Sequence, residues 1–207
     1  MLVAVGVKVV ETAPFYIFAT FVVSYATGTL NYEQSSALNA VSLGAALSTL
    51  LIPVMGAFSD RVGRFKVYFA GAVAIAIFAF PFFMLLDLEQ NWALFAAVVI
   101  GLGIVWPPVT GTLGTLCSEI FSARVRYTGV TLGYQIGAAL AGGTAPLIAT
   151  WLLHEFDGAW LPIALYLVLT AIISLTAVLF APAIAKREAA KEPMISDAPA
   201  SVGGTAS

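Results

Sequence analysis

Gly56-Ala57-Phe58-Ser59-Asp60-Arg61-Val62-Gly63-Arg64-Phe65-Lys66 is a short polar knot between two long apolar runs. It sets charges of both signs and two glycines where a membrane-crossing helix would turn back, so it reads as a tight hairpin between spans. Gly56 permits close approach at the end of one helix, and Gly63 suits a turn with φ > 0. Asp60 can cap the following helix or pair with a cation, and Arg64 can hold a carboxylate through its guanidinium fork. By spacing alone, a hairpin that merely anchors on its basic residues accounts for the stretch equally well.

The rest of the chain agrees with a membrane hairpin. Sixty per cent of its 207 residues are apolar and 10% are charged, and the mean hydropathy is +0.97. A soluble domain of this size could not cover so much apolar surface. The formal charge of −2 gives no reason to expect nucleic acid or a polyacidic partner. Cys117 stands alone, which excludes an internal disulfide and a cysteine-rich metal site, and no residue pattern calls for a cofactor. Met1 to Lys8 lacks the basic segment and cleavage site of a signal peptide, so the first run reads as a retained span.

Six runs approach the roughly 20 apolar residues that a bilayer core of about 30 Å requires. They lie at about 2–30, 38–57, 67–86, 92–117, 128–153 and 160–184. Because they are continuously apolar, they predict helices and not barrel strands, which would alternate. The expected class is therefore all-α, a six-helix membrane bundle over 1–184 with a cytoplasmic, unstructured tail over 185–207. Arg61, Arg64, Lys66, Arg124, Arg126, Lys186, Arg187 and Lys191 fall on one side, while Glu33, Asp87, Glu89, His154, Glu155 and Asp157 occupy connections without Lys or Arg. The positive-inside rule then puts both termini in the cytoplasm. Trp92, Trp151 and Trp160 fall near the external boundaries, where indoles settle.

The pattern Gly56-x-x-x-Asp60-Arg61-x-Gly63-Arg64 resembles the signature loop of the major facilitator superfamily of secondary transporters. In that superfamily the loop joins the second and third helices of each half and is thought to latch the cytoplasmic gate. Phe58 and Phe65 stand where Leu and a second basic residue are commoner. Glu119-Ile-Phe121-Ser-Ala-Arg124-Val-Arg126-Tyr127-Thr-Gly129, Tyr127 to Gln135 and Ala141 to Ala149 resemble the C-terminal half of the metabolite:proton symporters, which carry organic acids such as shikimate and 2-oxoglutarate and zwitterions such as proline and betaine. The resemblance implies a twelve-helix relative in two halves, with a small solute between them and H⁺ driving uptake across a plasma membrane, in bacteria the inner one. This chain would supply helices seven to twelve. It would need a second six-helix half, either an N-terminal half or a second copy, and a span that begins at residue two points to a chain starting partway through a longer protein. The two charged loops share a side, so Glu119 is expected to accept Arg64 while Asp60 faces Arg126 or the start of the fifth span.

Glu11 is the only carboxylate well inside a run, with Lys8 three positions earlier on the same helical face. It is a candidate for a proton or for a cationic group of the solute; a position in the cytoplasmic interface, with Lys8 snorkelling, is the competing reading. Pro14 should kink or break the helix just beyond. Tyr16, Tyr25, Asn39, Ser42, Trp106, Thr110, Tyr134 and Gln135 are further candidates to line a path, or to bond helix to helix. Tyr134 and Gln135 cannot both face it. Trp106-Pro107-Pro108 marks a break in the fourth run, and Gly129, Gly133, Gly137, Gly142 and Gly143 form a stripe of close approach, either to a missing half or within the bundle. A structural six-helix protein without transport competes with the carrier. An intramembrane enzyme does not, because His154 is the only histidine and lies at the external rim, away from any Ser or Cys on the other side.

Overall fold

The computed structural model describes residues 2–120 and 131–189, with side chains over 5–118 and 132–180. Six helices are long and apolar enough to cross a bilayer: α1 (Val5–Gly28), α2 (Gln34–Val62), α3 (Arg64–Leu86), α4 (Asn91–Ser118), α5 (Leu132–Glu155) and α6 (Leu161–Phe180). Among the described residues there is no strand, in accord with the all-α expectation. The shortest span, at 20 residues, reaches about 30 Å. The last helix continues to Ala189, past the apolar run that ends near Ile184, while residues 190–207 lie outside the described chain.

Three spans are not uniform helices: α5 is broken by a turn at Gly143 and Thr144, and α1 and α4 carry π turns. Pro14 does not break α1; the helix passes through it and loosens just after, as a π turn over Ile17–Phe21. In α4 a π stretch covers Val99–Val105, directly before Trp106 and the Pro107 that restarts the helix. There the Trp106 N–H bonds back to the Gly101 carbonyl at 3.1 Å. The next donor for the Leu102 carbonyl would be Pro107, which has no N–H. Ser48 of α2 supplies it, its hydroxyl lying 2.5 Å from the Leu102 oxygen. A freed carbonyl in hydrocarbon must find such a partner.

α1 and α4 are the most enclosed spans, each with 56% of its apolar window buried, while α2 has only 11% and α5 28%. α1 packs chiefly against α5 and α6, and α4 against α2 and α3. The α1–α6 contact includes a relay: Val10 N–H donates to Ser174 Oγ at 2.9 Å, and that hydroxyl donates to the Gly6 carbonyl at 2.6 Å. Ser174 thus sits inside the main-chain ladder of α1. The glycine stripe of α5 receives α1 within the bundle, since a Cβ on Gly137 would stand 2.8 Å from Lys8 Cβ and one on Gly142 2.7 Å from Thr12 Cγ2. Gly111 does the same for α2, where a Cβ would meet the Ile52 carbonyl at 2.6 Å.

The end of the bundle opposite the Asp60 hairpin is tied by polar contacts. Asp87, closing α3, accepts the Tyr25 hydroxyl at 3.4 Å and the Trp160 indole N–H. Trp160 also stacks on Phe83, with centroids 5.8 Å apart and planes 7° from parallel. Between α1 and α2, Tyr32 donates to the Leu86 and Gln90 carbonyls at 3.0 and 3.3 Å. α1, α3 and α6 are therefore joined at this end through one carboxylate.

Candidate functional site

Lys8, Glu11, Thr12 and Phe15 recur at the spacing of one helical face, and α1 turns that face toward α4 and α5. Lys8 Nζ lies 2.5 Å from Glu11 Oε2, with the two side chains only 14% and 13% exposed. Thr12 donates its hydroxyl to the same oxygen at 2.8 Å. Lys8 also lies over the Tyr134 ring, 4.8 Å from its centroid, a cation–π contact contributed by α5. Trp106 Nε1 donates to the Glu11 carbonyl at 2.7 Å, and its ring packs on Phe15 at a centroid distance of 4.9 Å. A cavity of about 250 Å³ opens against these groups, lined by Lys8, Glu11, Thr12, Phe15, Tyr16, Trp106 and Ala138.

Depth decides what such a pair can do. Trp106 stands near the middle of α4, roughly 20 Å from either end at about 1.5 Å per residue. Glu11 is at that level. A charge at mid-membrane costs several kcal/mol unless it is compensated. Here the cation, the hydroxyl and the aromatic face provide compensation, while the cavity leaves the pair open on one side. The arrangement can exchange partners: an incoming carboxylate can compete for Lys8, and an incoming ammonium or a proton for Glu11.

The remaining candidates are spread more widely. Tyr16 lies on the cavity wall, and Tyr25 is buried and committed to Asp87. Tyr134 points inward to Lys8, while its neighbour Gln135 is exposed. Asn39 is exposed on α2 and Ser42 bonds to its own helix at Leu38. Thr110 Oγ1 is buried without a hydrogen-bond partner among the described residues. Thr12, Phe15 and Ala138 were missed; the three- and four-residue spacing from Lys8 and Glu11 would have pointed to Thr12 and Phe15.

At the hairpin, α2 and α3 are separated by Gly63 alone, whose φ of 108° is open to glycine. Arg64 donates from Nε and Nη2 to Asp60 Oδ1 at 3.1 and 2.9 Å. Asp60 is thus held by Arg64 of its own hairpin. The pair is exposed and contributes little to stability, about 0.3–0.5 kcal/mol. Arg61 and Lys66 are exposed, and Gly56 approaches the Gly111 carbonyl of α4, 3.4 Å from where a Cβ would stand. The Glu119 side chain and the whole of Arg126 lie outside the described residues.

A glycine-split Asp-Arg hairpin and an enclosed Lys8–Glu11 pair thus share one six-helix unit. The profile of the Major Facilitator Superfamily matches residues 9–204. The chain belongs to that superfamily. Among curated relatives, this facilitator chain is 33% identical over 171 residues to the shikimate transporter of Escherichia coli K12, covering 82% of the chain and 39% of the relative. It is 28% identical over 201 residues to a glycine betaine/proline/ectoine/pipecolic acid transporter of Dickeya dadantii, covering 97% and 38%. It is 29% identical over 147 residues to the citrate-proton symporter of Klebsiella pneumoniae, covering 71% and 33%. These relatives are of the metabolite:proton symporter type, and the chain spans about two fifths or less of their length. No solved structure matches it at a significant level.

Proposed function

We propose that this facilitator chain is the C-terminal six-helix half of a secondary transporter for a small polar metabolite, an organic acid or zwitterion, driven by H⁺. The observation that carries the reading is the Lys8–Glu11 pair, enclosed between α1, α4 and α5 and open to a cavity of about 250 Å³. Lys8 and Glu11 would bind the solute and the proton, with Tyr16 and Trp106 shaping the wall. Asn39 and Gln135, exposed on the two least enclosed spans, would face the second half across the path. Gly56, Asp60, Arg61, Gly63 and Arg64, with Glu119 and Arg126, would form the cytoplasmic latch of the gate. Both termini would be cytoplasmic, in a bacterial inner membrane. Alternating access requires two bundles rocking about a shared site, so a second six-helix half, N-terminal or a second copy, would complete it.

The test is uptake into vesicles with an imposed proton gradient, for a panel of organic acids and zwitterions. The chain is supplied alone or together with the N-terminal half of the shikimate transporter. Uptake that needs the complement, collapses with a protonophore and is lost in Glu11→Gln supports the reading. Correctly inserted halves that move nothing in the panel overturn it for those solutes. Uptake by the chain alone would favour a paired second copy.

A further inference from the structure

A second cavity lies away from the Lys8–Glu11 pair and shares none of the residues that line the first. It is a groove of about 470 Å³ at the Asp60 end, between α2 and α3 with α4 as its floor. Its walls are almost wholly apolar, from Phe58 and Val62 on one side and Val67, Ala70 and Ala74 on the other. The helices that form it are long and apolar enough to cross a bilayer. Lys66 stands on its rim. The same Lys66 is also a wall of the neighbouring basin of about 540 Å³, which the hairpin forms from Ser59, Asp60, Gly63, Arg64 and Phe65. One cation therefore joins a trough of apolar side chains to a polar bowl beyond the helix ends.

The charges around that junction are unbalanced. Asp60, the hairpin's one acid, is engaged by Arg64, and Lys66 makes no ion pair among the described residues. With Arg61 also exposed beside it, the hairpin's own charges, Asp60 against Arg61, Arg64 and Lys66, leave a positive excess among the described residues. An amphiphile with an anionic head and an apolar tail satisfies both parts at once. We propose that the groove and the hairpin bowl together hold one anionic phospholipid, an acyl chain between α2 and α3 and the phosphate on Lys66. Packing in the groove supplies residence, because lipid tails gain no hydrophobic advantage over the surrounding bilayer. Lys66 supplies headgroup preference, at roughly fivefold for one cation near an anionic head.

Native mass spectrometry of the chain released from nanodiscs containing phosphatidylglycerol and phosphatidylcholine of identical acyl composition tests this. The wild type is expected to retain one phosphatidylglycerol in preference to phosphatidylcholine. Lys66→Gln should keep a bound lipid but lose the preference about fivefold, while Ala70→Phe, which fills the groove, should retain neither. Ala74→Leu is a second filling variant, and far-ultraviolet circular dichroism confirms that each variant keeps its helices. Equal retention of the two lipids by the wild type, or undiminished phosphatidylglycerol in both filling variants, overturns the proposal. So does displacement by glycerol phosphate, which would show a headgroup site without a tail, or a lipid-free dimer, which would show that a second copy covers the groove.

Discussion

Trp106 and Glu11 are joined through main chain, not side chain: the indole N–H reaches the Glu11 carbonyl at 2.7 Å, one residue's length from the carboxylate. The middle of α4 is thereby fixed to the turn of α1 that carries the charge. Movement of either helix must move the other or break this bond.

Trp106→Phe keeps the ring against Phe15 and removes the donor. We expect a loss of about 0.6 kcal/mol, the average measured for interhelical hydrogen bonds in membranes, and no more than about 1.7. Thermal unfolding in detergent reads it. No change in midpoint would mean that the carbonyl keeps an adequate helical partner without the indole.

Lys8→Met and Glu11→Gln each leave or weaken one side of an enclosed pair, and a buried charge stripped of its partner costs about 3–5 kcal/mol. Lys8→Met should be the more harmful, because it leaves a carboxylate with only the Thr12 hydroxyl. The double variant should be more stable than Lys8→Met alone. A double-mutant cycle in which the two effects simply add would show that the pair is not coupled.

Gly142→Val places a branched side chain where a single Cβ already comes within 2.7 Å of both Thr12 Cγ2 and Tyr16 Cε2. Overpacking of this kind costs about 1–3 kcal/mol. Its stronger effect should fall on the site, since Thr12 holds Glu11. Gly142→Ala is expected to give a milder version of the same defect, in stability and in any uptake assay. Equal behaviour of the two would remove steric crowding as the cause.

Tyr32 gives a pH-dependent term outside the spans. Burial raises its proton affinity above the ordinary tyrosine value of 10.0, and its hydroxyl donates to the Leu86 and Gln90 carbonyls. The folded state thus holds the proton more tightly than the unfolded one, so the contribution is complete below about pH 10 and is lost as pH rises toward the folded value. The stability difference between wild type and Tyr32→Phe, about 1 kcal/mol at neutral pH, should shrink above pH 10. A difference that grows with alkalinity would contradict the sign.

Six spans and the Gly63 turn were legible because hydrocarbon leaves a chain few options: long apolar runs must be helical, and charges must gather where the runs end. Glu11 and Lys8 stood out for the same reason. Less was visible where the determinant is a contact between distant segments. Nothing in the neighbourhood of Ser174 or Ser48 shows that one enters the ladder of α1 and the other serves the Leu102 carbonyl. Pro14 and Pro107 signalled disturbed helix, but both disturbances took the form of π turns, and at Pro107 the neighbouring Ser48 serves the freed Leu102 carbonyl. The Glu119–Arg64 expectation followed from shared sidedness and falls on a side chain outside the described residues, while the Asp60–Arg64 pair across Gly63 is a contact within the hairpin that sidedness did not single out.

Those two π turns also alter how the helices are read from outside. A π turn holds more residues than an α turn, so it rotates everything beyond it, and one inserted residue is worth about 100° around the axis. The stripe that carries Lys8, Glu11 and Phe15 on α1 therefore does not continue past Phe21 at the same phase, nor does the stripe of Trp106 on α4 extend back beyond Val99. Cysteine accessibility scanned along either span would show a clean period on each side of the turn and a jump between them. Each of these helices therefore presents one set of side chains to its neighbours before the π turn and a rotated set after it.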